Sequence, residues 1–308
     1  ELQIINPSFQ RATFVTNSSD DSNGDSNNLQ QLVFYNADKL ILETLHTPLA
    51  TSLRDINHYT FKLNTVNMGT NPVFFDAYVT HLKASSGVTN EGIRESMVNV
   101  FTADLANLPA DRPVLFLGDL NMYSNTEPAN IELLDATNSI VLYDPINRQG
   151  SWHNNSSFID VFTQSTSTTS INGGAGGGFD DRFDFIYLSQ NLQSPGELSY
   201  KSGTYKAYGN NANPLCYNDD INSSDCSGAE FNSTIRDALY NFSDHLPVVL
   251  ELETDQTLTV PSENSVQNGK QNVPLPTALR RAHFFERRLG AWEVIFLIFS
   301  SIRMISGS

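Results

Sequence analysis

Four apolar runs of strand length each meet a short polar segment at one end, and that coupling limits what the chain can fold into. Residues 73–82 (VFFDAYVTHL) close on Thr80-His81-Leu82-Lys83, and residues 114–117 (VLFL) run straight into Gly118-Asp119-Leu120-Asn121. Residues 183–188 (FDFIYL) open on Arg182-Phe183-Asp184, and residues 246–252 (LPVVLEL) follow Ser243-Asp244-His245. A run as uniformly apolar as 114–117 fits a strand buried on both faces. Between the first two runs Ile93, Met97, Val100, Phe101, Leu105 and Leu108 recur at helical spacing. Arg94, Glu95, Asn99 and Asp104 fall elsewhere, and Thr89 or Asn90 can cap the start. A strand, a helix and a buried strand predict an α/β (α+β) fold whose sheets are covered by helices. The polar residues at the strand ends then converge on one edge, where sites on such scaffolds form. Asp184, set between Phe183 and Phe185, needs a partner to offset the cost of burying a carboxylate, and His245 is the candidate.

Of the 308 residues 39% are hydrophobic and 17% charged, which excludes wholesale disorder; no stretch reaches the roughly 18 apolar residues of a transmembrane span. Lys and Arg number 18 against 34 Asp and Glu, a net charge of −16, which argues against holding nucleic acid through a general positive field. A polyanionic substrate must be met by local charge or by metal, and the bases near the polar segments are Lys83, Arg94, Arg148 and Arg182. Cys216 and Cys226, ten apart in a polar loop, are compatible with a small disulfide and equally with two reduced thiols.

Composition changes near residue 255. Residues 1–255 hold 31 acidic and 12 basic residues, and residues 256–308 hold 3 and 6. The first segment reads as one domain. The second reads as a Pro-rich linker, an arginine-rich segment (Arg280, Arg281, Arg287, Arg288) and an apolar run at 294–302 too short to cross a bilayer. Within the domain, residues 17–31 read as a polar loop, and Thr126-Glu127-Pro128 opens a short helix to Leu134 with the threonine as cap. The glycine-rich residues 173–178 read as a flexible connector; the alternatives are a close backbone approach or, with Asp180-Asp181, a structural Ca2+ site.

In this order, the four polar segments resemble the endonuclease/exonuclease/phosphatase superfamily, the deoxyribonuclease I-like group. The resemblance covers roughly residues 29–253, and its most specific part is Ser243-Asp244-His245-x-Pro247 together with Gly118-Asp119-x-Asn121. The wider wording (THLKAS, GDLNMYSNTEPA, DDRFDFIYLS) is most similar to secreted members of the Bacteroidetes type. The resemblance implies a four-layer sandwich of two packed, mainly antiparallel or mixed β-sheets flanked by helices. It also implies metal-dependent hydrolysis of phosphoester, chiefly phosphodiester, bonds, with Mg2+ or else Mn2+ or Ca2+. By the same resemblance Asp119 orients or deprotonates the attacking water, and Asn121 donates to a phosphate oxygen or holds the nucleophile. His245 contacts the phosphoryl group with Asp184 fixing its tautomer, His81 stabilises the transition-state anion or protonates the leaving oxygen, and Asp244, with Asp119, is on the metal side. A secreted, periplasmic or cell-surface bacterial location is implied too, with a phosphoester substrate that includes nucleic acid met through a local cleft.

The family pattern begins with a strand bearing an Asn and a strand ending in a metal-binding Glu. The sequence after Glu1 (LQIINP) looks like the region beyond that Glu, so both are expected upstream, and Glu43, Glu91, Glu95 and Glu127 stand in the wrong contexts to replace it. The alternative is an impaired family member that acts as a binding or surface module through its arginine-rich tail.

Overall fold

Alternation along the apolar runs sets which face of a sheet each side chain enters. The computed structural model of the protein describes residues 2–17, 30–43, 47–171 and 173–259. Its elements in chain order are α1 (Leu2–Ile5), β1 (Phe9–Arg11), β2 (Phe34–Asn36), β3 (Leu40–Leu42), β4 (Thr47–Leu49), β5 (Ile56–Leu63), β6 (Phe74–His81), α2 (Val88–Asp104), β7 (Val114–Asp119), α3 (Pro128–Leu133), β8 (Leu142–Tyr143), β9 (Asp184–Ser189), β10 (Ser199–Tyr200), β11 (Lys206–Ala207), α4 (Ser233–Tyr240), β12 (Val248–Val249) and β13 (Leu252–Glu253). Seven strands make one sheet in the order β3-β5-β6-β7-β9-β8, with β4 also on β5. Only the β6–β7 pair, joined through α2, is parallel.

The sheet is buried on both faces. Phe75, Ala77, Val79, Leu115, Leu117, Ile186 and Leu188 lie on one face and pack with Leu198, Tyr200, Val248, Leu250 and Leu252 of a second layer. That layer is built of three two-stranded pieces, β1-β2, β10-β13 and β11-β12. Tyr78, Val114, Phe116, Phe185 and Tyr187 line the opposite face, against Met97, Val98 and Phe101 of α2 and Leu133 of α3. Each fully buried side chain of this size contributes about 1.5–3 kcal/mol. The result is a mixed α+β architecture of packed sheets with few helices.

Several local expectations shift. Helix α2 begins at Val88, with Gly87 in the cap position and no side-chain cap, so neither Thr89 nor Asn90 serves. Val98 rather than Val100 joins its buried stripe, and Arg94 is fully buried. Glu127, not Thr126, occupies the α3 cap position, because its carboxylate is taken up by Arg94 and the Tyr123 amide. The run 246–252 divides into β12 and β13, which pair with different strands. Leu258 bridges Thr65, and the Thr259 amide donates to Asn64 O. Cys216 and Cys226 are disulfide-bonded within a small buried cluster with Phe162, Phe179 and Leu246. Residues 18–29 of the expected loop and the tail from 260 on, with its arginines and apolar run, lie outside the described residues. Among the described residues no helix is long and apolar enough to cross a membrane.

Candidate active site

Register brings the strand-end residues into a row. On β6 and β7 His81 stands opposite Asp119, and on β7 and β9 Asp119 stands opposite Asp184. Each keeps the parity of the apolar residues facing the second layer (Val79, Leu117, Ile186), so the three side chains project to the same side. His245 comes from that second layer, just before β12. Its chain is tied by the Leu246 amide to Thr163 O at 2.7 Å, and the Thr163 hydroxyl accepts from the Asp184 amide at 3.2 Å.

Gly118 allows this close packing. Its φ is +141°, and a Cβ there would stand 1.8 Å from Thr80 O, so no side chain fits between the ends of β6 and β7.

The side chains then meet. His245 Nδ1 is 2.6 Å from Asp184 Oδ2, His81 Nε2 is 3.3 Å from Asp119 Oδ2, and His245 Nε2 is 3.8 Å from the same oxygen. One carboxylate therefore lies between two imidazoles, the second of them backed by another carboxylate. Asn121, in a left-handed conformation (φ +50°), donates its amide N–H to Asp119 Oδ1 at 3.0 Å and its side-chain N–H to Leu82 O at 3.4 Å. Burial pushes the Asp119 carboxyl up to about 7, the field of Asp184 adding to it and His245 opposing. For His245 burial works against the charged ring, but Asp184 and Asp119 outweigh it and push the imidazole up to about 10.

Asp244 takes a different direction. Its Oδ2 accepts the Ala175 amide at 2.6 Å, and a Cβ on Gly174 would come within 2.8 Å of its carboxyl carbon. The glycine-rich loop is thus a close backbone approach to Asp244 rather than a loose connector.

Three of the four bases expected near the site are committed elsewhere. Arg94 pairs with Glu127 at 2.7 Å, Arg182 pairs bidentately with Asp144 at 2.9 and 3.0 Å, and Arg148 pairs with Asp160. Lys83 donates to Ala84 O. Arg54, for which the sequence carries no recognisable signal, is buried and donates to the carbonyls of His81 and Leu82 at 3.1 and 2.9 Å, fixing the end of β6 beside Asp119. Gln164 was also not foreseen; its side-chain amide lies 2.7 Å from His245 Nε2. Among the described residues one group brings three metal-ligand donors within 4.8 Å of one another, namely His153, Asp180 and Asp181. In it His153 Nδ1 bonds Asp181 at 2.7 Å and Nε2 meets Asn154 at 2.8 Å. Burial and Asp181 push the Asp180 carboxyl up to about 6.

The chain is similar to solved endonuclease/exonuclease/phosphatase structures. A Bacteroides vulgatus endonuclease/exonuclease/phosphatase shares 16% identity over 82% of this chain and 79% of its own, with a TM-score of 0.47. The human Nocturnin catalytic domain with bound sulfate anion shares 18% over 82% and 75%, at 0.46. D. rerio TDP2 complexed with single strand DNA product shares 15% over 72% and 71%, at 0.41. No family model and no curated protein matches the sequence.

Proposed function

We propose that the protein is a metal-dependent phosphodiesterase of the endonuclease/exonuclease/phosphatase type, with nuclease-like chemistry at a single phosphate. One arrangement supports this above all: Asp119 held between His81 and His245, with Asp184 behind His245. A carboxylate pushed up to about 7 can take a proton from an attacking water near neutrality, and an imidazolium beside it can meet a phosphoryl oxygen. His81 supplies a second imidazole on the far side of the carboxylate, and Asn121 fixes that carboxylate through Oδ1. Among the described residues the pairing of Arg94, Arg148 and Arg182 with carboxylates leaves little basic surface near the site to track a long polyanion, which favours engagement of one phosphate.

A divalent ion such as Mg2+ takes hard carboxylate oxygens, and with Asp244 engaged by the Ala175 amide, Asp119 is the carboxylate of the site that would hold it. Bound there, the ion would polarise a phosphoryl oxygen. His153, Asp180 and Asp181 are a second donor set of mixed nitrogen and oxygen character.

The protonation states fix a pH dependence. Asp119 acts as base only when ionised, so the rate rises through about pH 7; His245 acts as cation only when protonated, so it falls through about pH 10. The expected profile of kcat/KM for bis-p-nitrophenyl phosphate is a bell with its plateau between these limits. A profile flat across the acid limb would count against Asp119 as the base.

A further inference from the structure

Tyr123 lies two residues beyond Asn121, and its backbone is fixed at both ends. Its N–H donates to Glu127 Oε1 at 2.8 Å, and its carbonyl accepts the Trp152 and His153 amides at 3.0 and 3.2 Å. The ring is held as firmly. The buried Arg94 guanidinium lies 5.6 Å from its centroid, and the Phe183 ring, next to Asp184 in sequence, meets it at 5.0 Å and 67°. The His153 ring stands against it at 4.9 Å and 75°, so the two rings form a corner. Both His153 nitrogens are engaged, Nδ1 with Asp181 at 2.7 Å and Nε2 with the Asn154 side chain at 2.8 Å, which fixes how the ring is turned. The His153 side chain is nevertheless 42% exposed. With the polar edge of the ring taken up, what it offers a ligand is its π face.

The corner adjoins the site along two routes. Tyr123 follows the Asp119–Asn121 turn, and Asp181, the partner of His153, is bridged to His245 through Gln164. Charge decides what it can hold. Arg94, Arg148 and Arg182 are each paired to a carboxylate and the chain carries a net charge of −16, so phosphate contacts alone hold a nucleotide weakly here. Stacking on a fixed ring is the other source of affinity for nucleotides, and every base has a π face to offer.

We propose that His153 and Tyr123 form a stacking corner for the base next to the scissile phosphate, with His153 as the platform and Tyr123 as the end wall. The substrate class is then a nucleoside phosphodiester, which rests on the phosphodiesterase assignment above. The corner holds substrate and transition state alike, so it acts on KM and leaves kcat nearly as it is.

The test uses the full chain with Mg2+ and two p-nitrophenyl diesters that share a leaving group, one of thymidine 5′-phosphate and one of abasic deoxyribose 5′-phosphate. The wild type should favour the base-bearing ester about tenfold in kcat/KM. His153→Ala should bring that ratio near one by raising KM for the thymidine ester; if it fails to fold, Tyr123→Leu takes its place. His153→Phe, which keeps a ring without nitrogen, should retain the preference, a result that hydrogen bonding or metal ligation by His153 would not give. A wild type without the preference overturns the corner, as does a preference that survives in His153→Ala or is lost in His153→Phe. Calorimetric binding of thymidine 5′-monophosphate against abasic deoxyribose 5′-phosphate, in EDTA, separates the two assignments. Tighter binding of the thymidine compound, lost in His153→Ala, with neither ester hydrolysed upholds the corner and removes the phosphodiesterase assignment. Hydrolysis of both esters at equal rates does the reverse, and neither hydrolysis nor preferential binding overturns both.

Discussion

Replacing His245 with alanine is expected to lower kcat for bis-p-nitrophenyl phosphate about 10²–10⁴-fold, the range for a positioned acid–base group. The ring meets both Asp184 and Asp119, at 2.6 and 3.8 Å, and so carries the positive charge between them. Its removal also leaves two buried carboxylates without the ring that lies between them, so some loss of stability should accompany the loss of rate. His245→Asn, which keeps a polar group in place, separates the two effects: the fold should recover further than the rate. Steady-state rates and thermal unfolding followed by circular dichroism check both.

The second large effect concerns stability and lies away from the chemistry. Asp144→Ala should destabilise the protein by about 3–5 kcal/mol, the cost of leaving one member of a buried ion pair uncompensated. Arg182 is 1% exposed, its guanidinium lies 4.2 Å from the Phe185 ring centroid, and Asp144 meets two of its nitrogens. Asp144 also accepts from the Arg148 amide and the Gln149 side chain, which closes the 144–149 turn. Urea denaturation measures the change. A loss under about 1 kcal/mol, the level of a surface pair, would contradict this view of Arg182.

The same pair shows where sequence stops being informative. Arg94 and Arg182 lie beside the polar segments and look like cleft bases, but their partners Glu127 and Asp144 are 33 and 38 residues away in sequence. Only the packed sheet and helices determine that those charges are internal. The row of His81, Asp119 and Asp184 was legible for the opposite reason. Each sits at the end of an apolar run, and strand pairing converts that placement into adjacency. His245 was legible because a carboxylate between two phenylalanines requires a partner. Gln164 and Arg54 were not, because they lie outside the four polar segments and reach the site only through the fold. The Asp244 contact with the Ala175 amide is a further case: the glycines that permit it carry no signal of what will approach them.

Asp119 is where the site's contacts converge, and exchanging its base for an isosteric amide tests the proposed chemistry most directly. The measurement is p-nitrophenolate release from bis-p-nitrophenyl phosphate by the wild-type chain and by Asp119→Asn, each with added Mg2+, Mn2+ or Ca2+. The expected result is metal-stimulated turnover by the wild type and a loss of about 10²–10⁴-fold in Asp119→Asn with the fold intact. Equal rates from the two proteins would contradict it.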